Sequence, residues 1–197
     1  MTKPSPDAGK SRREQLRERL IAVAERSIAE GGLSALRARD VATQANCALG
    51  AIYTAFADLD ELVLCVNART LARLEAALTS PARDGSELLR LARAYVNYAR
   101  DEGPRWRALF EHRMPGKPLP EWYAQELDHL FSLLEAPLSR LLPGAPKEEL
   151  HARARTLFSA VHGIVLIGVE EKLAPTSAKA LDAALEEFIA TVERGLR

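Results

Sequence analysis

Cysteine and aromatic residues are both scarce in this chain, and each scarcity closes off a class of protein. Two cysteines among 197 residues, Cys47 and Cys65, are too few for a disulfide framework. Aromatics make up 6% of the sequence, and long alternating runs of Val, Ile and Thr are missing, which argues against an all-β fold. No fixed repeat is present, so collagen-like chains and repeat arrays are excluded. The opening MTKPSPDAGKSRREQ holds no apolar core of a secretory leader. The most apolar stretch, Ala160 to Val169, is interrupted by His162 and falls short of the roughly 18 residues that a membrane span needs. The expectation is a reduced, cytoplasmic protein with no membrane association. Net charge is missing as well: 27 basic residues balance 27 acidic ones, which at first sight argues against a nucleic-acid partner.

What is present is helical. Apolar residues reach 47%, much of it Ala and Leu, enough for a sizeable core. Residues 1 to about 11 are polar, with Pro4, Pro6 and Gly9, and predict a disordered arm. From Ser11, which with Glu14 has the spacing of a capping box, the apolar positions Leu16, Leu20, Val23 or Ala24 and Ile28 recur every three or four residues until Gly31-Gly32. Two short helices follow, about Arg37 to Ala45 and Ala48 to Ala55, with Asn46 between them at a place suited to a left-handed turn. Longer helices are expected over about Asp60 to Leu78, Ser86 to Asp101, Glu121 to Leu142, Lys147 to Lys172 and Ser177 to Gly195. A short one opened by Pro104 runs through Arg113, Pro137 is expected to kink or break its helix, and Ala174-Pro175 separates the last two. The fold class is all-α, with a short-helix head over 12–60 and a body of about six helices over 61–197.

Two short helices joined by a tight turn and backed by a third have the pattern of a helix-turn-helix, here over about 37–56. Leu36, Val41, Ala42, Ala45, Cys47, Ile52, Tyr53 and Phe56 would supply its core. LIAVAERSIAEGGLSALRARDVATQANCALGAIYTAF (20–56) resembles the DNA-binding head of the TetR/AcrR family of bacterial regulators, on Ala22, Ala24, Gly31, Val41-Ala42, Gly50, Ile52, Tyr53, Phe56 and Leu62. The resemblance implies that Gly50 and Ala51 let the recognition helix approach a phosphate and that Tyr53 turns its hydroxyl to the DNA backbone. Three departures stand out: Ala48 replaces a usual Ser or Thr cap, and Ala55 and Leu59 occupy places that usually hold His and Lys.

Charge divides along the chain. Residues 1–57 carry nine basic side chains (Lys3, Lys10, Arg12, Arg13, Arg17, Arg19, Arg26, Arg37, Arg39) and six acidic ones (Asp7, Glu14, Glu18, Glu25, Glu30, Asp40), so the head is net +3 and the remainder −3. Arg12, Arg13, Arg37 and Arg39 are candidates for the salt-dependent phosphate contacts. Thr43, Gln44, Leu49 and Thr54 are candidates for base edges or phosphates. Leu49 is limited to apolar groups such as a thymine methyl, and Gln44 is suited to adenine. Against this, Asp58, Asp60 and Glu61 place three acids beside the expected DNA face.

In the body, Trp106 and the His162-Gly163 pair resemble the C-terminal domain of a TetR subgroup marked by those residues. Tyr95, Tyr98, Trp106, Phe110, Trp122, Tyr123, Phe131 and Phe158 form a set of aromatics that, with His162, are candidates for lining a ligand pocket between helices; the same spacing also suits a plain core. His112 and His129 are further polar candidates. The four histidines lack metal-ligand spacing, so neither a metal nor another cofactor is expected. The helix from Phe158 to Val169 is apolar nearly all round and needs cover on every side. Val161, Ile164, Val165 and Gly168, with Leu185, Phe188, Ile189 and Val192 of the last helix, are the candidates for a homodimer interface. The resemblance implies that these two helices pair with a partner's as a four-helix bundle.

Together these features predict a transcriptional regulator, most simply a repressor that leaves a palindromic double-stranded operator when an unknown small-molecule effector binds. The alternative, motivated by Ala48, Ala55 and Leu59, is a helical ligand-binding or interaction protein whose DNA binding is weakened or lost. An enzyme is not expected: there is no Gly-rich phosphate loop, nucleophile elbow or metal-ligand spacing.

Overall fold

A computed structural model describes residues 6–81, 85–170 and 177–196. All regular structure among them is helical: α1 (Pro6–Gly31), a 3-10 turn (Leu33–Ala35), α2 (Ala38–Gln44), α3 (Leu49–Ala55), α4 (Leu59–Thr79), α5 (Glu87–Asp101), α6 (Gly103–Glu111), α7 (Glu121–Leu141), α8 (Lys147–Val169) and α9 (Ala178–Gly195). Residues 1–5 of the expected arm lie outside the described residues. The helix begins at Pro6 rather than Ser11, because proline suits a first helical turn, where its missing N–H has no partner to lose. Ser11 therefore sits inside α1 and does not start it. The expected Ala174-Pro175 break and the end of α8 at Lys172 also fall outside the described residues.

The chain divides into two compact units, 1–70 with 102–119 and 71–101 with 120–197. This boundary differs from the expected one at residue 60. The first part of α4 stays with the head, and α6 joins it by packing against α1. Trp106 and Ala108 of α6 are fully buried, and the Asn67 side chain donates to the Ala108 carbonyl at 3.3 Å.

In the first unit, Leu20, Val23, Ala24 and Ile28 of α1 form one cluster with Val41, Ala42, Ile52, Phe56, Leu62 and Val66. The helix stops where Gly32 takes φ 71, a left-handed value that costs glycine little. Between α2 and α3, Asn46 takes φ 52, the one positive φ outside glycine among the described residues. The turn that this asparagine permits brings Ala42 and Ala45 within the core.

The second unit packs α5, α7, α8 and α9. Leu88, Leu91, Ala92, Tyr95, Val96 and Ala99 bury one face of α5. α7 runs through Pro137 without the expected break. Proline nevertheless removes the amide that would bond the Leu133 carbonyl, so the helix is weakened there without being interrupted. Ser177 caps α9 by accepting from the Ala180 amide at 3.2 Å.

α8 is apolar on two sides. By length and composition it passes for a membrane span, more than the stretch 160–169 suggested, and 28% of that apolar window is buried within the chain. The inner stripe is Ala154, Leu157, Val161, Val165 and Gly168. At Gly168 a Cβ would lie 2.7 Å from Leu181 Cδ1 of α9, so this glycine serves close contact within the chain. A Cβ at Gly163 would meet nothing within 4 Å. Gly168→Ala should therefore destabilise the protein by about 1–3 kcal/mol in urea denaturation followed by circular dichroism, through overpacking. Gly163→Ala in the same assay should be neutral or slightly stabilising, since alanine is the better helix former.

Candidate nucleic-acid interface and body cavity

α3 is a short helix held from beneath at its C-terminal end. Its N-cap residue, Ala48, makes no side-chain cap bond, so the missing hydroxyl is not replaced. The other end is tied by Arg17 of α1. Its Nη1 donates to the Ala55 carbonyl at 2.7 Å and its Nη2 to Glu61 Oε1 at 2.7 Å. The same guanidinium lies 4.2 Å from the centre of the Phe56 ring.

The start of α4 is then built from the acidic run. Asp58 Oδ1 accepts from the Glu61 amide at 2.9 Å, and Glu61 Oε2 accepts from the Ala57 amide at 2.7 Å, a reciprocal cap. Lys117 places its ammonium 2.7 Å from Asp58 Oδ2 and 2.9 Å from Asp60 Oδ2. The hydrogen bond from Lys117 holds the Asp58 carboxyl below the ordinary carboxylate range. Burial pushes Glu61 upward, but the Ala57 amide and Arg17 outweigh it and hold that carboxyl low as well. The acids expected to repel DNA are thus matched by Arg17 and Lys117 inside the unit. Lys117, 56 residues along the chain from Glu61, gave no local signal of this role.

The outer surface carries the expected contact residues. Arg12, Arg13, Arg37, Arg39, Thr43, Gln44, Leu49, Gly50, Tyr53 and Thr54 are exposed, and Ala51 is half-buried. Leu49 is 39% and Tyr53 55% exposed, large apolar surfaces left open to solvent. A Cβ at Gly50 would meet nothing, so the backbone here is open to approach. Thr43 and Thr54 each donate a hydroxyl to the carbonyl one turn earlier, Arg39 at 2.9 Å and Gly50 at 3.2 Å. None of the four candidate arginines pairs with a described carboxylate.

Of the departures from the family pattern, Ala55 is buried and Leu59 is half-buried against the head core. A feature not anticipated is a stripe on α1: Arg12, Arg19 and Arg26 recur at seven-residue spacing and span about 21 Å at 1.5 Å per residue. Arg19 and Arg26 border an open cleft of about 500 Å³ whose other wall is Gln44, Ala45 and Asn46.

In the second unit, an apolar cavity of about 40 Å³ is lined by Leu74, Leu78, Leu88, Leu91, Ala92, Tyr95, Leu130, Phe131, Leu133, Leu134, Leu157, Phe158, Val161 and Ile189. Of the aromatic set, Tyr95, Phe131 and Phe158 line it. Tyr98 and Tyr123 are buried elsewhere in this unit, and Trp122 is 40% exposed. Trp106 and Phe110 belong to the first unit, 5.7 Å apart as an edge-on pair. The Trp106 and His162-Gly163 markers therefore do not share a unit. His162 stands behind the wall: its Nδ1 lies 2.7 Å from the Tyr95 hydroxyl, and its ring stacks on Phe158 at 5.7 Å. His129 pairs with Glu75 at 2.9 Å, and His112 lies 3.7 Å from Asp60 in the first unit. No group of three metal-ligating side chains occurs among the described residues.

The expected dimer residues divide by burial. Val161, Val165, Gly168, Leu185 and Ile189 are buried within the chain, and only Ile164, Phe188 and Val192 keep some exposure. The periodicity marked the inner stripe of each helix, because sequence shows apolar residues and not which of two apolar faces is already covered.

A solvent-facing recognition helix on a basic three-helix head, followed by a helical body, defines a helix-turn-helix DNA-binding regulator. Residues 20–66 match the sequence model of bacterial regulatory proteins of the tetR family. Residues 88–192, more than half of the chain, match that of the tetracyclin repressor-like C-terminal domain. The chain belongs to the TetR family of transcriptional regulators. Comparison with curated proteins gives no significant match. A transcriptional regulator from Rhodococcus sp. Rha1 shares the fold at a TM-score of 0.63 and 24% identity, over 91% of this chain and 96% of that one. A tetR-family transcriptional regulator from Streptomyces coelicolor has a TM-score of 0.65 at 20% identity, over 93% and 84%. The multidrug binding protein EbrR, in complex with imidazole, has a TM-score of 0.56 at 22% identity, over 87% and 93%.

Burial holds His112 and His162 below the ordinary histidine range, against the opposing carboxylates of Asp60 and Glu170 respectively. The folded state therefore favours neutral rings, and the unfolded chain binds those protons more readily. Their contribution to stability is complete above about pH 6.5 and is lost as pH falls through the depressed folded values. Urea denaturation at pH 7.5 and 5.5 should show a smaller acid loss for His162→Gln than for the parent chain; an identical loss would contradict this assignment.

Proposed function

We propose that this regulator acts as a homodimeric repressor, holding a palindromic operator through two recognition helices and releasing it when a small molecule binds the body. The observation that carries this reading is the exposed surface of α2 and α3. Tyr53 and Leu49 stand open there, and the same unit exposes four arginines that pair with no described carboxylate. An isolated helical ligand-binding protein has no use for such a surface, and the acids beside it are ion-paired within the unit by Arg17 and Lys117.

The dimer follows from the outer stripes of the last two helices. Ala160, Ile164 and Ile167 recur at helical spacing on α8, with Ile167 43% exposed. Ala184, Phe188 and Thr191 do the same on α9. An apolar face of this kind on each of two adjacent helices suits isologous packing against a second copy. Two heads joined in this way can meet successive major grooves of a two-fold operator. The effector acts by binding one arrangement of the heads better than the other, so DNA affinity falls by the difference. The structural similarity to a multidrug binding protein supports a small-molecule role for the body.

Two measurements test the proposal. Filter binding to the DNA upstream of its own gene should be sequence-specific and salt-sensitive. Arg39→Ala should lower affinity about tenfold and reduce the salt slope by about one. Binding that is absent, or indifferent to salt, would favour the non-DNA-binding alternative. In sedimentation equilibrium, Ile167→Glu should convert a dimer to a monomer with its helical content retained, whereas a dimer that persists would place the interface elsewhere.

A further inference from the structure

The body cavity is too small for the ligands its family membership implies. It measures about 40 Å³, whereas sites for drug-sized molecules occupy roughly 300–1,000 Å³. A wall must move before anything larger than a few atoms enters, and the structure distinguishes one wall from the rest. α7 contributes Leu130, Phe131, Leu133 and Leu134. Four residues beyond Leu133 comes Pro137, which has no amide to give the Leu133 carbonyl and whose ring crowds it. The remaining wall segments, on α4, α5, α8 and α9, contain no proline. Among the described wall helices, proline therefore removes a ladder bond only in α7, at the turn that faces the cavity.

The chemistry of the wall restricts the occupant. Thirteen of its fourteen residues are aliphatic or Phe, and the fourteenth is Tyr95, whose hydroxyl is already bonded to His162 at 2.7 Å. No ionisable group other than this phenol lines it among the described residues. A charged ligand would lose its hydration here with no counter-charge to meet it, at a cost that apolar contact cannot offset. We infer that the effector is an uncharged, predominantly apolar molecule, admitted by displacement of α7 at the turn before Pro137. This inference rests on the proposal that the body binds an effector.

The test uses two probes with one ring skeleton. N-phenyl-1-naphthylamine is neutral, and 8-anilinonaphthalene-1-sulfonate is the same molecule bearing a sulfonate. Fluorescence titration of the full chain should show the neutral probe binding at least about tenfold more tightly than the sulfonate. Ala92→Leu, which fills the cavity from α5, should abolish that binding. Pro137→Ala, which restores the missing amide, should slow association of the neutral probe about tenfold in stopped flow with the circular dichroism spectrum unchanged. Failure of the neutral probe to bind, equal or tighter binding of the sulfonate, or binding retained in a folded Ala92→Leu would overturn the ligand class. An unchanged association rate in Pro137→Ala would overturn α7 as the moving wall. Should Ala92→Leu not fold, the probe pair on the parent chain and the proline variant still decide. Operator binding by the unliganded protein is unaffected by any of these failures, so the regulator and its ligand class are judged separately.

Discussion

Arg17 donates to the Ala55 carbonyl at the end of α3, covers the Phe56 ring, and donates to Glu61 at the start of α4. One half-buried guanidinium thus reaches from α1 to both sides of the bend that closes the recognition helix. α3 is seven residues long, without a side-chain cap at its start, and a helix so short has little stability of its own. Its direction depends on what grips it. Hydrogen bonds to a charged donor, strengthened by partial removal from water, supply that grip in a form that apolar packing of Ile52 and Phe56 could not aim by itself. The C-terminal end of α3 is gripped from beneath while Leu49 and Tyr53 on its outer face stay exposed.

The same interaction changes the meaning of the charge balance. Asp58, Asp60 and Glu61 are a local excess of negative charge in the sequence, yet in the folded head they cap α4 and pair with Arg17 and Lys117. What remains unpaired on the surface is predominantly arginine, including the stripe of Arg12, Arg19 and Arg26 along α1. Attraction to phosphates depends on charges that face solvent, and carboxylates neutralised at 2.7 to 2.9 Å by a cation contribute little to it.

In the body, two apolar stripes share one helix. The inner stripe of α8 and α9 closes the subunit, with Gly168 admitting Leu181, and the outer stripe of Ile164, Ile167 and Phe188 is left for other company. Both stripes consist of the same residue types at the same spacing, which is why Val161, Val165 and Leu185 were as plausible at a partner interface as Ile164. Aromatic residues posed the same difficulty. Trp106 and Tyr95 are equally apolar and lie eleven positions apart, but α6 turns the first into the head and α5 turns the second toward the cavity.

The amino-acid sequence by itself determined the helices, the left-handed turn at Asn46, the short-helix head and most of the side chains that it leaves exposed. All of these depend on local preferences and short-range periodicity, which operate over a few residues. Only the tertiary structure decided that Lys117 pairs with Asp58 and Asp60, that α6 belongs to the head, that the body cavity is small, and which apolar stripe is spent within the chain. Each of those outcomes depends on contacts between residues far apart in sequence, and burial and charge pairing are properties of such contacts rather than of any one segment.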